Sequence, residues 1–143
     1  MIVDQFLRVS TAQAVTTTAV STDTVDLSVA RDIGAGNDVY MYFTIPTAFT
    51  GGTSIQFQAI CADNAALSTN ATVIGSSAVI PLASLTAGAR FAIRINPQVA
   101  SQGRRYLGAN YVVVGTMTAG NVTADIADDI ADNKTYASGF SVT

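Results

Sequence analysis

The stretch VYMYFTIPTAFTGGTSIQFQAIC, residues 39–61, decides how the rest of the chain is read. Val39, Met41, Phe43 and Ile45 alternate with Tyr40, Tyr42 and Thr44. Beyond a turn at Phe49-Thr-Gly-Gly, Ile55, Phe57, Ala59 and Cys61 alternate with Gln56 and Gln58. A period of two sends successive side chains to opposite faces of a strand, so each segment has one face for a core and one for the outside. Pro46 has no N–H for a ladder and is expected to end the first strand.

The same alternation recurs on both sides of this stretch. TVDLSV (24–29) reads as a short strand after a Thr/Ala/Ser-rich run at 10–23, and ARDIGAGND (30–38) as a loop. After the loop ADNAALSTN (62–70), residues 71–85 supply two short extended pieces. RFAIRIN (90–96) points Phe91, Ile93 and Ile95 inward; RRYLGANYVVVG (104–115) and NVTADIAD (121–128) follow, with a turn expected at MTAG (117–120). About eight short strands with turns between them describe an all-β antiparallel sandwich or barrel, one domain over 1–143, with extended termini. Residues 1–12 and 133–143 are expected to serve as arms. Strand order is not legible at this level.

Composition narrows the chemistry. Charged residues are 12% of the chain, about half the ~25% usual for soluble domains. The formal charge is -3 and the pI near 4.4, which disfavours nucleic acid and anionic membranes as partners. No run approaches the ~20 apolar residues of a membrane helix, and the N-terminus lacks the pattern of a signal peptide. Cys61 is the single cysteine, so no disulfide framework exists and a reducing cytoplasm of synthesis is expected. There is no His and no Glu, so Ser-His-Asp, Cys-His and the common zinc sets cannot be assembled. No glycine-rich phosphate loop precedes a helix. The chain is therefore read as a non-enzyme without a cofactor or metal. Asp125, Asp128, Asp129 and Asp132 are the candidates for a calcium site, but their spacing does not match a calcium loop; a solvated surface, or the partner of a neighbour's arginines, is the expectation.

Arg90, Arg94, Arg104 and Arg105 are four of the seven cations and fall within 25 residues of each other. Arg90 and Arg94 lie on the strand face opposite Phe91, Ile93 and Ile95, about 13 Å apart, too far to clamp one small anion. Arg104 and Arg105 are adjacent, so their side chains diverge. With Tyr106 they suit protein contact, where Arg and Tyr are enriched as anchors. Phe6 and Leu7 near the N-terminus, and Tyr136 and Phe140 near the C-terminus, carry apolar side chains outside the clear strands and complete the set of candidate contacts.

The blocks AQAVTTTAVSTDTVDL, ARDIGAGNDVYMYFTI, IPLASLTAGARFAIRINP, RRYLGANYVVVGTMTAGNVTADI and the closing YASGF, taken in order, resemble the capsid cement (decoration) proteins of tailed bacteriophages, closest to the Bordetella-phage podovirus type. The resemblance covers the chain from about Ala12 to Phe140. It implies a jelly-roll-like sandwich made in the bacterial cytoplasm that docks on the exterior of an HK97-type virion shell. There it would bridge major capsid protein subunits as a homo-oligomer, a dimer before a trimer. It assigns no contact residue. The alternative from another class is a carbohydrate- or receptor-binding β-sandwich. Against it stand the absence of Trp and the lack of a nearby acidic cluster along the strand that carries Tyr40 and Tyr42.

Overall fold

A computed structural model describes residues 3–30, 38–95, 104–128 and 130. Among the described residues ten strands occur in chain order: β1 Arg8–Ala14, β2 Ala19–Val20, β3 Val25–Asp26, β4 Tyr40–Gly51, β5 Ser54–Ala62, β6 Thr72–Ser76, β7 Ile80–Pro81, β8 Arg90–Arg94, β9 Tyr106–Val114 and β10 Met117–Ala127. Short 3-10 turns stand at Gln5–Leu7 and Leu82–Ser84. One sheet has the order β1-β10-β4-β8. The other runs β2-β9-β5-β6, with β3 also on β9 and β7 also on β5. Because β5 occupies one side of β9 along its whole length, β2 and β3 share the other side; β6 and β7 share the free side of β5 in the same way.

The pairing is nested. β1 joins β10, β2 and β3 join β9, β4 joins β8, and β5 joins β6 and β7, every pair antiparallel. The chain is one long double-stranded ribbon with its tip between β5 and β6, wrapped so that its segments fall alternately into two packed sheets. That order is a jelly roll, with broken edge strands counted as one position each. The expectation of about eight strands in an all-β sandwich is met.

Most residues named as inward lie inside, while Val39 and Phe91 are half-buried against the edge of the core. Met41, Phe43, Ile45, Ile55, Phe57 and Ala59 are fully buried, and Cys61, Ile93 and Ile95 nearly so. Phe57 is the centre of an aromatic cluster: its ring centroid is 4.8 Å from Phe43 and 5.3 Å from Phe91, while Tyr111 meets Phe43 and Phe57 edge-on. Burying one such ring stabilises the fold by about 2–3 kcal/mol. The Tyr111 hydroxyl reaches Ser10 Oγ at 2.7 Å, joining the two sheets through the core. Gln13 fastens the same corner: its Oε1 accepts from Ser10 Oγ and the Thr22 amide, and its Nε2 donates to the Val20 carbonyl. Across the sandwich, a β-carbon on Gly75 would lie 2.5 Å from the Arg94 carbonyl oxygen. The edges of β6 and β8 can therefore meet only because residue 75 lacks a side chain.

Several local expectations are corrected. Pro46 does not end its strand; β4 continues to Gly51. The register slips there, with Thr44 opposite Thr123 but Thr47 opposite Asn121, so Pro46 falls in a bulge beyond the last residue paired with β8 and no ladder donor is lost. MTAG (117–120) is not a turn but the start of β10; the chain turns one step earlier, at Gly115 with φ +83°. Gly120 serves close packing instead, since a β-carbon there would strike the Phe49 ring at 2.1 Å. The Thr/Ala/Ser run at 10–23 holds most of β1 and all of β2, so the N-terminal segment expected as an arm becomes an edge strand from Arg8 onward. Of TVDLSV only Val25–Asp26 pairs. The segment 133–143 lies outside the described residues.

Candidate functional site

The outer face of the first sheet carries side chains from all four of its strands. Arg8 of β1 stands opposite Asp125 of β10, Asp125 opposite Tyr42 of β4, and Tyr42 opposite Ala92 of β8. One pleat along, Thr123 stands opposite Thr44 and Thr44 opposite Arg90. Cross-strand neighbours on one face lie within side-chain reach. With Val3, the side chains of Arg8, Tyr42, Thr44, Arg90, Thr123 and Asp125 line an open surface pocket of about 490 Å³.

Asp125 departs from the expectation of a solvated carboxylate: it is 3% exposed. Arg8 makes this tolerable by donating Nε–H to Asp125 Oδ1 at 2.7 Å. A buried carboxylate without such a partner would lose hydration that nothing replaces. Of the other three aspartates proposed for a cation, Asp128 is exposed, and Asp129 and Asp132 lie outside the described residues. Among the described residues no group of three His, Cys, Asp or Glu side chains comes together to hold a metal.

The arginines singled out in the sequence are spread over the molecule. Arg90 and Arg94 do share the outer face of β8, with Ala92 between them. Arg94 is ion-paired with Asp38, whose second carboxylate oxygen accepts from the Tyr40 hydroxyl at 3.3 Å. Arg104 and Arg105 diverge, as adjacent strand residues must, to the two elements flanking the start of β9. Arg105 grips Asp26 of β3 with Nε and Nη2, both at 2.7 Å, and lies over the Tyr106 ring with Cζ 5.1 Å from its centroid. Arg104 Nη1 reaches both oxygens of Asp63, in the loop after β5, at 3.2 and 3.1 Å. The carboxylates these three arginines meet thus belong to their own chain.

Titration follows from this pairing. The Arg105 hydrogen bonds, helped by the Ser28 amide, hold Asp26 down at about 2, and the same bonds raise Arg105. Asp63 is lowered by the Asn70 amide first and by Arg104 second. Desolvation raises the Cys61 thiol. Tyr111 is also pushed above its ordinary range, chiefly by burial, against which the Ser10 bond works.

The remaining contact candidates divide. Phe6 is 91% exposed on the Gln5–Leu7 turn, whose amide at residue 6 is capped by Asp4 Oδ1 at 2.9 Å. Leu7 instead packs partly against the core. Tyr106 leans on a small cluster of Ile60, Ala62 and Leu67 outside the second sheet. Tyr136 and Phe140 lie outside the described residues. Sequence reading did not single out Arg8, Thr44, Thr123 or the buried role of Asp125. Their outward direction was legible from alternation, but their meeting depends on which strands neighbour one another.

Fold and surface together define a jelly-roll β-sandwich with a polar surface pocket on the outside of one sheet. The chain matches the Bbp16 family over residues 9–126, from the second residue of β1 to the penultimate residue of β10, and it belongs to that family. No curated protein matches it.

Proposed function

We propose that this is a structural protein of a tailed-phage virion that decorates and cements the outside of an HK97-type capsid, bridging major capsid protein subunits as a homo-oligomer. Membership of the Bbp16 family over nearly the whole sandwich carries this reading, together with the ordered blocks that resemble Bordetella-phage cement proteins. The surface chemistry supports it. Arg94, Arg104 and Arg105 are neutralised within the chain, which leaves a weakly charged surface that can be covered at small desolvation cost. Large apolar side chains remain exposed at Phe6, Val29, Val73, Val79 and Val114. A protein with this role catalyses nothing and needs no cofactor; an oligomer gripping several sites can multiply avidity roughly 10²–10⁴-fold.

The test is co-sedimentation with shells of the cognate major capsid protein, expanded and unexpanded. Saturable binding to expanded shells is expected, and no binding to either form would overturn the proposal. Phe6→Ala is the first variant to compare. A residue so exposed should leave thermal stability within about 0.5 kcal/mol of wild type, whereas its loss from a buried contact should weaken attachment about tenfold or more.

A further inference from the structure

The open pocket outside the first sheet takes a cation from each edge strand of that sheet, Arg8 from β1 and Arg90 from β8. Among the described residues lining it, these two arginines stand against the single carboxylate of Asp125. The pocket wall is thus positive by one charge on a chain of net charge -3. Asp125 accepts the Arg8 Nε–H and so fixes the direction of that guanidinium. The terminal nitrogens of Arg8 have no hydrogen-bond partner among the described residues and are open to water. Arg90 is exposed. Between the two, Thr123 Oγ1 accepts from the Ala12 amide and keeps its own O–H to donate. Phe6, 91% exposed, lies between Val3 and Arg8, both in the pocket wall. Its turn packs on β10, and its amide is capped by Asp4, so its backbone is held while its ring stays in water.

We infer that this pocket receives an acidic side chain from a protein partner, its carboxylate held by Arg8 and Arg90 while Phe6 packs on an apolar residue beside it. Guanidinium N–H groups match carboxylate oxygens in geometry as well as charge. One carboxylate offsets the one excess charge of the wall. A polyphosphate would bring several negative charges against Asp125 and an acidic chain, and a neutral ligand would gain nothing from the charge of either arginine. Openness argues for a protein rather than a small molecule. Small-molecule sites bury most of their ligand's surface, whereas this pocket covers a guest from one side only, as suits a side chain presented by another surface. Arginine beside an exposed aromatic ring is also the composition of interface hot spots. The inference goes beyond the cementing reading by naming the face and the chemistry of its partner, and it holds whether or not that partner is a capsid subunit.

The experiment is an NMR titration of the full chain with a capped peptide of alternating Glu and Leu, its Gln-for-Glu counterpart, inorganic phosphate and a short DNA duplex. The acidic peptide should shift the amides of Phe6, Thr44 and Thr123 and the Arg8 Nε–H, with a dissociation constant in the millimolar range or tighter. Raising salt from about 0.05 to 0.5 M should weaken it. Arg90→Gln and Phe6→Ala, both at exposed positions, should each weaken it about three- to fivefold with unchanged circular dichroism. The inference fails if the acidic peptide shifts none of these signals, or if the Gln counterpart binds as well. It fails equally if phosphate or the duplex binds the pocket more tightly, or if both variants bind as wild type. The peptide is read without shells, so this inference and the cementing proposal fail separately.

Discussion

Replacing Asp125 with Asn removes one negative charge from the outer face of the first sheet while keeping size and one acceptor oxygen. The carboxylate is 3% exposed and takes the Arg8 Nε–H at 2.7 Å. Removing one partner of a buried ion pair costs about 3–5 kcal/mol. Arg8, however, keeps a third of its side chain in water (33%), so its guanidinium can recover hydration and the Coulomb gain is screened. A hydrogen bond to a charged group is itself worth about 1.5–3 kcal/mol, and Asn retains a weaker version of it. The expected loss is therefore about 2 kcal/mol, or a fall in Tm of about 5–8 °C for a chain of this size. Urea unfolding at neutral pH, followed by near-UV circular dichroism, measures it directly. A cycle with Arg8→Met isolates the pair, and the coupling should exceed about 1 kcal/mol. A loss below about 0.5 kcal/mol for Asp125→Asn, with coupling near zero, would refute the reasoning and make the pair a surface contact in energetic terms.

Three further outcomes are expected. Gly75→Ala should cost about 1–3 kcal/mol by overpacking, because its β-carbon would stand 2.5 Å from the Arg94 carbonyl; amide hydrogen exchange should show β6 and β8 opening first. Tyr111 titrates above its ordinary value because burial disfavours the phenolate. Its stabilising share is thus complete below pH ~10 and is lost as pH rises beyond that; unfolding free energies between pH 9 and 11 should fall in wild type and less steeply in Tyr111→Phe. Asp26, held at about 2, should titrate in NMR well below the ~3.9 of a free Asp. Its contribution is present above the unfolded value and lost as pH falls toward 2. Arg105→Ala should return its midpoint to the ordinary range, and an unchanged midpoint would remove Arg105 as the cause.

Direction along a strand is a local property, and it was legible. Alternation placed Phe43, Phe57 and Ile93 inside and put Tyr42, Arg90 and Arg94 outside from seven or eight residues at a time, because the pleat has a period of two whatever the strand pairs with. The weakly patterned run at 10–23 gave no such signal. There β1 is held by register with β10 and by Gln13 and Ser10, partners more than a hundred residues away in two cases. Pro46 and Gly120 misled for one reason: each was read as a strand breaker, but a bulge accommodates the first and a neighbouring ring requires the second.

By itself, then, the sequence determined the strands' faces and the all-β class. Tertiary structure alone decided the nested pairing that makes a jelly roll, and with it every meeting between strands distant in the chain. Arg8 and Asp125 are 117 residues apart, and nothing local distinguishes Asp125 from the solvated Asp128. The alternation tells a side chain which way to face. Only the wrapping of the ribbon tells it whom it faces, which is why Arg94, Arg104 and Arg105, close in sequence, pair with carboxylates in three different parts of the fold, while Arg90 lines one pocket with Arg8, Tyr42, Thr44, Thr123 and Asp125.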